Sequence, residues 1–335
     1  MIKMLDNLSI SKFTAYFQVT KDVNLPFYTG STFRGVLGRA LHKVNVGLCD
    51  KDRSDNCSAR YHCENSDLYA YLFETSSNHA LLTESLQSRN YQLDSYPQPL
   101  IIDPPKGGPY REGEFLSLSF TLVGQAIAYF PFVVCALVDL RQIPIGRDSG
   151  RISLHFIENG IPSPDGSYSP IYDNNRGEIM GSARVLNFNL IHQWVKTSYA
   201  LADDVDKIAI HFLTPFRFKT QNRFGAPLTF NVFMRNIFRR IELLSVHSPL
   251  NEPIDHKRLL ELAESVKIEG ANLRWHDWQR YSQRQDTAMK LGGVVGKIAF
   301  CGNLYEFLPF LTLCEYLNVG KGGTFGLGKY KMLVL

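Results

Sequence analysis

The chain has 335 residues, 44% of them hydrophobic and 20% charged. That balance excludes a disordered polar chain and a coiled coil, and it is ample for a core built without metal or disulfide staples. The formal net charge is only +4, but residues 1–206 carry 18 Lys and Arg against 22 Asp and Glu, while residues 207–335 carry 18 against 10; the second half is therefore expected to meet a polyanion, of which nucleic acid is the commonest.

At about 150 residues per domain the length predicts two domains. Residues 1–13 alternate polar and apolar positions without an apolar stretch or a small-residue cleavage site, so no secretory signal is expected. The apolar run Ala126 to Val138 is interrupted by Pro131 and falls short of the roughly 20 residues that span a bilayer. These readings point to the cytoplasm.

Residues 12–20 alternate as a strand, and the turn Leu25-Pro26-Phe27-Tyr28-Thr29-Gly30 leads into a helix capped by Ser31 or Thr32. Its core face is Phe33, Val36, Leu37, Ala40, Leu41 and Val44. A polar stretch, 47–67, ends at the apolar run Leu68 to Phe73. Strands are predicted at 96–102 and 114–123, a helix at 125–140, a strand at 151–157 and a long exposed loop at 159–181. The pattern then begins again. A strand at 208–213 precedes a helix marked by Phe230, Phe233, Met234, Ile237, Ile241 and Leu244, extended by a short one near 259–266. Strands at 273–281 and 294–301, a helix opened by Asn303 with Glu306, and a strand at 329–335 complete it. Both halves read β-α-β-β-α-β, an α+β chain of tandem ferredoxin-like (RRM-like) domains. The first is expected over 1–200, with insertions at 47–95 and 159–181, and the second over 201–335.

Of the six cysteines, Cys135, Cys301 and Cys314 lie in apolar surroundings and read as core. Cys49, Cys57 and Cys63 form a polar cluster with His62, a donor set that suits zinc, but their spacing lacks the usual close pair. No metal and no other cofactor is expected.

Gly320 to Tyr330 (GKGGTFGLGKY) is the most information-dense stretch. Gly323 to Lys329 fits the spacing of a nucleotide-binding P-loop, yet Tyr330 stands where Ser or Thr must hold Mg²⁺, and a strand follows where a helix is needed. A loop this rich in glycine lets main-chain amides approach an anion. Flanked by Lys321 and Lys329, with Gly322, Gly323, Thr324, Phe325 and Gly326 between them, it suits the phosphate backbone of a polymer; the competing reading is a sharp helix-to-strand connection that needs glycine only for sterics. Phe216-Arg217-Phe218-Lys219, followed by Arg223-Phe224, interleaves cations with aromatics, as base stacking plus phosphate contact would require. On a single strand Arg274, His276, Trp278, Arg280, Ser282 and Arg284 would share one face, either an RNA contact or a sheet edge defended by charge.

Together with the glycine loop, four ordered stretches carry a resemblance: LPFYTGSTFRG (25–35), YLFE (71–74), LTPFRFK (213–219) and RYSQRQ (280–285). The chain resembles the CRISPR precursor-RNA processing endoribonucleases of the RAMP superfamily, from about residue 12 to the end. The resemblance implies metal-independent cleavage of CRISPR repeat RNA in the precursor transcript, to give mature guide RNA. In that chemistry the 2′-hydroxyl attacks the adjacent phosphate, leaving a 2′,3′-cyclic phosphate and a 5′-hydroxyl. It also implies a catalytic set of Tyr28, His42 and either Lys43 or Lys51. His42 would move the proton, histidine being the residue type that ordinarily titrates near working pH; Tyr28 would orient the 2′-hydroxyl or take the opposite proton role; the lysine would stabilise charge on the phosphate. By helical periodicity His42 lies opposite the apolar stripe, beside Gly38 and near Arg34; Arg34 and Arg39 are the helix cations expected to meet RNA. Relatives often carry four cysteines before YLFE where this sequence has three, so no zinc site is carried over. The alternative reading is a non-catalytic RNA-binding subunit of a CRISPR effector complex.

Overall fold

The computed structural model describes residues 8–47, 67–73, 97–199, 205–219, 227–248, 254–277, 279–282 and 287–335. Two compact units emerge: an N-terminal one of Leu8–Leu186 with Val246–Pro249, and a C-terminal one of Asn187–Ser245 with Leu250–Leu335. The division falls at Leu186/Asn187, not at 200. The physical reason is an amphipathic helix, Phe188–Ser198, that buries Phe188, Ile191 and Val195 and sets the Phe188 ring 5.0 Å from Phe310 of the C-terminal unit.

In the N-terminal unit β1 (Ser9–Lys21) leads through β2 (Val23–Leu25) to α1 (Gly30–Gly47) and α2 (Asp67–Phe73), then β3 (Leu100–Asp103), β4 (Gly108–Tyr110) and β5 (Phe115–Val123). A helical run follows, with α3 (Phe130–Asp139) at its centre, and then β6 (Arg151–Asn159). The strand order β3-β5-β1-β6 is antiparallel throughout, as β-α-β-β-α-β connectivity requires. β2 and β4 make a small separate ladder. Strict alternation along β1 puts Phe13, Ala15, Phe17 and Val19 under α1 and α3, where they join Phe33, Leu37, Val133 and Leu137 in one core. Lys12, Thr14, Tyr16 and Gln18 stand on the opposite, open face.

Several local expectations change. Gly30 already belongs to α1, so Ser31 and Thr32 lie inside its first turn; Thr29 precedes it, its carbonyl taking the Phe33 amide and its hydroxyl donating to Pro105 O. The loop at 159–181 contains β7 (Pro170–Asp173) and β8 (Glu178–Ile179), which extend the sheet beyond β6, and the short β9 (Leu186–Asn187) pairs with β1. The helical run Gly124–Gln142 is long and apolar enough, by length and composition, to cross a membrane. Its Ala126, Phe130, Val133, Val134, Ala136, Leu137 and Leu140 are nevertheless packed in the protein core, which accounts for its apolarity. Cys135 faces outward from this run, and Cys301 is half-buried; of these three cysteines only Cys314 is core.

The C-terminal unit begins with α4 (Phe188–Ser198) and repeats the plan with β10 (Lys207–Phe216), α5 (Phe230–Leu244), α6 (His256–Glu264) and β11 (Lys267–His276). β14 (Gly293–Cys301), α7 (Leu308–Leu317) and β15 (Tyr330–Val334) follow, in the antiparallel order β11-β14-β10-β15. The predicted cap of the last helix is not used: Glu306 pairs with Arg258 instead, and Pro309 occupies the first turn of α7. The predicted strand 273–281 breaks after His276. β12 (Gln279–Ser282) pairs only with β13 (Thr287–Lys290), so Arg274 and His276 do not share a strand with Arg280 and Ser282.

Candidate RNA interface and imidazole site

In the N-terminal unit α2 lies along the flank of α1 and explains where the candidate residues of that helix go. A Cβ on Gly38 would stand 2.6 Å from the Phe73 ring, so glycine is what lets the two helices close. The Arg34 guanidinium lies 4.1 Å from the centre of the same ring and donates to Phe73 O at 3.2 Å and Leu100 O at 3.4 Å. At 4% exposure Arg34 is a packing residue that ties α1 to α2 and β3, off any RNA-facing surface.

His42 is half-buried at the edge of this contact, its ring edge-on to Tyr69 at 5.4 Å, with Tyr69 stacked on Phe73 at 5.5 Å. The imidazole is thus steadied by an aromatic neighbour and keeps an open side. Gly35 and Arg39 are exposed on the adjoining stripe, Arg39 one turn before His42. Lys43 is otherwise engaged, its ammonium 3.1 Å from Asp139 Oδ2 and donating to Gln142 Oε1 at 2.6 Å. Tyr28 is half-buried in the turn before α1. From Gly30 to His42 the helix rises by about 18 Å, so Tyr28 and His42 sit at opposite ends of α1 and are not brought together. Lys51 lies outside the described residues, as do Cys49, Cys57, His62 and Cys63. Among the described residues no group of three or more metal-ligating side chains occurs. Tyr69, which the sequence offered only as part of an apolar run, is the neighbour that orients His42.

In the C-terminal unit the glycine loop is sewn to the end of β10. Lys321 N donates to Arg217 O (2.8 Å), Gly328 N to Pro215 O (3.0 Å) and Lys329 N to Thr214 Oγ1 (2.8 Å), while the Thr214 hydroxyl donates to Gly326 O (2.8 Å). Positive φ at Gly320, Gly322, Gly326 and Gly328 makes this path possible. At Gly328 a Cβ would lie 1.7 Å from Val319 O, so the steric need for glycine is real. Phe325 and Gly326 spend their amides on Gly322 and Gly323 carbonyls inside the loop.

What the loop presents outward is charge. Lys321 is exposed, and its ammonium is held below the usual lysine range by partial burial and by the cations of Lys219, Arg217 and Arg239. Burial also pushes Arg217 down. Three cations that together hold a fourth below its usual range make a site that gains from an anion. Beneath it Arg240, 8% exposed, donates through Nε and Nη2 to Leu317 O, both at 3.0 Å, and supports Gly323 from below; burial pushes its guanidinium down to about 10. Arg239 and Arg240 were missed in the sequence. Arg240 had a signal, since it falls at i+3 from Ile237 and i+7 from Phe233, on the apolar stripe of α5.

Other expected contacts divide. Phe216 and Phe218 are 0% and 1% exposed, stacked at 4.9 Å in the core with Phe212, so the aromatics of that segment are not available for bases. Lys219 is exposed, and Gly322, Thr324, Phe325 and Lys329 are half-buried while Gly323 is buried. The backbone of Arg280 and Ser282 is in β12. Arg223 and Arg284 lie outside the described residues.

Two modules on the β-α-β-β-α-β plan, one presenting an imidazole and one a cationic glycine loop, define a tandem ferredoxin-like class of protein. Residues 8–184 match the AF_1859_N N-terminal domain, and residues 210–330 match CRISPR-associated endoribonuclease Cas6. The chain belongs to the family that carries the AF_1859_N N-terminal domain, and its C-terminal match is to the CRISPR-associated endoribonuclease Cas6 family. Its fold is similar to that of a partial Cas6-RT-Cas1–Cas2 complex (TM-score 0.60, 14% identity, 99% of this chain and 47% of that one). It is also similar to a Cas6 product complex (0.56, 15%, 97% and 100%) and to Thermus thermophilus Cas6 (0.52, 16%, 97% and 99%). The chain therefore spans about half the length of the first of these. No curated protein sequence matches it.

Proposed function

We propose that this protein is a metal-independent endoribonuclease that cuts CRISPR repeat RNA. The observation that carries the reading is the four-cation cluster at the glycine loop, within the matched residues 210–330. Arg217, Lys219, Arg239 and Lys321 hold backbone phosphates of the RNA, and Arg240 keeps the loop in place.

In the reaction the 2′-oxygen forms a bond to the neighbouring phosphorus as the bond to the 5′-oxygen breaks. The 2′-proton goes to a base, and the leaving 5′-oxygen takes a proton from an acid. His42 transfers one of these protons. The Lys43 ammonium is occupied by Asp139 and Gln142, and Arg39, exposed beside His42, supplies the positive charge that steadies the phosphate dianion. A solved relative that includes a reverse transcriptase with Cas1–Cas2 supports assembly of this chain into a larger CRISPR complex, alongside its RNA partner.

The test is cleavage of labelled repeat RNA in excess EDTA. A discrete cut with a cyclic-phosphate end is expected. Retention without cutting would instead make the chain a non-catalytic RNA-binding subunit, and the absence of both cutting and retention would end the RNA reading altogether.

A further inference from the structure

The open face of the N-terminal sheet carries aromatic rings that the cleavage reading leaves unused. Phe115, 50% exposed, opens β5 opposite Gln18, whose side chain belongs to the open face of β1. A bulge in β6 between its pairings with Tyr16 and Phe17 adds an extra residue, His155, and turns it outward. The Phe115 and His155 rings meet edge to face at 5.5 Å. His155 in turn meets Phe156 at 5.6 Å, and Phe156 stacks on Tyr16 at 4.5 Å with 17° between the planes. Tyr16 is anchored by donating its hydroxyl to Glu158 at 2.6 Å. The inner pair is thereby braced, while the outer rings of Phe115 and His155 stand free to be covered.

Cations end this row. Lys21 lies directly opposite Arg151 in the β1–β6 register. Like charges across a ladder oppose pairing, and the Arg151 Nη1 atom is enclosed with no hydrogen-bond partner. An anion on the open face beside Lys21 and Arg151 would relieve their repulsion. Rings for bases beside cations for phosphates is the surface that single-stranded nucleic acid requires, whereas a purely apolar partner would leave the two cations unanswered.

We propose that this sheet face binds unpaired RNA, with Phe115 and His155 stacking on bases and Lys21 with Arg151 holding the adjoining phosphates. The choice of RNA as the ligand rests on the function proposed above. An attachment of this kind would hold an unpaired stretch of a transcript on the N-terminal unit.

The test uses the full chain, a fluorescent oligoadenylate, and an abasic ribose-phosphate strand of the same length. The double variant Phe115→Thr/His155→Thr keeps β-branched residues on the strands and removes both rings; Phe115→Trp enlarges one. Oligoadenylate should bind the double variant about tenfold or more weakly, from the usual worth of base–aromatic stacking. Phe115→Trp should bind as well as the wild type, and the abasic strand should not distinguish the three proteins. Equal oligoadenylate affinity in all three overturns the proposal. So does a double variant that binds RNA normally but no longer self-associates in sedimentation, which would give the face to a second copy of the chain. Wild-type cleavage of repeat RNA is scored separately. No cut, with the ring dependence intact, defeats the endoribonuclease reading alone; a cut without ring dependence defeats this proposal alone.

Discussion

The two units share one strand order and differ in how the cations beside their candidate sites are used. In the N-terminal unit Arg34 is buried against Phe73 and two carbonyls, Lys12 is paired with Asp103 at 2.8 Å, and Lys43 is paired with Asp139. These three positive charges are spent on holding elements together, and the residues left for chemistry on α1 are His42 and Arg39. In the C-terminal unit Arg240 is committed in that way near the loop, and Arg217, Lys219 and Arg239 stand close enough to depress the Lys321 ammonium. Duplicating a module thus allows one copy to be tuned for positioning a proton carrier while the other is tuned for electrostatic capture. The same helix-on-sheet geometry serves both, because the division lies in which cations are given acidic or carbonyl partners.

The comparison breaks most sharply at His42. His42→Ala is expected to lower the single-turnover cleavage rate by about 100- to 10,000-fold, the usual loss of a positioned proton carrier, while repeat-RNA affinity stays within about twofold of the wild type. Loss of binding with an unchanged rate at saturating RNA would reverse the assignment of roles between the units.

The complementary substitution is Lys321→Ala with Arg239→Ala. Both side chains are exposed, so folding is not at stake. Affinity should fall for any RNA sequence, and the slope of log K against log salt should flatten by about 1 for each phosphate contact removed. An unchanged slope would mean that the cluster faces no polyanion, and that the excess charge of residues 207–335 is only a solvated surface.

The strand order of both units was legible because it is carried by strong periodicity: alternation along β1 and β10, and the 3.6-residue stripe of α1 and α5. The candidate site was legible in part. Residue types and order pointed to His42 and to the glycine loop. What periodicity could not see was which polar residues a later segment would cover. Arg34 looked solvent-facing only because α2, seven residues beyond a long polar insertion, was not read as a helix packed on α1. Phe216 and Phe218 looked like stacking residues because interleaved cations resemble an RNA contact, yet alternation on β10 sends Phe216 to the core while Arg217 stays at the rim. The break after His276 has a similar origin: a single two-residue period cannot reveal that the ladder partner changes from β14 to β13.

A smaller effect sharpens the packing half of the comparison. Gly35 and Gly38 are one turn apart on α1, but a Cβ at Gly35 would meet nothing within 4 Å, whereas at Gly38 it would strike Phe73. Gly38→Ala should destabilise the N-terminal unit by about 1–3 kcal/mol, as overpacking does. Gly35→Ala should instead stabilise it by about 0.5–1 kcal/mol through helix propensity. Urea unfolding of the two single variants reads the difference directly, and equal effects would mean that α2 does not close on α1.

The smallest expected effect lies on the open sheet face. Burial, and then the hydrogen bond to Glu158, push the Tyr16 hydroxyl from its ordinary value of 10.0 up to about 12. A group whose pKa is higher in the folded than in the unfolded chain contributes stability that is complete below the unfolded value and is lost as pH rises through the folded one. Tyr16 should therefore support the N-terminal unit fully below pH 10 and progressively less between pH 10 and about 12. Because the ring is only half-buried, the effect is modest, and other tyrosines titrate nearby. The measurement is accordingly a difference: the fall in melting temperature across that window should be shallower in Tyr16→Phe than in the wild type, since phenylalanine has no proton to lose. Parallel curves would show that the Tyr16–Glu158 bond contributes nothing to holding the inner aromatic pair, and that Phe156 is kept in place by packing alone.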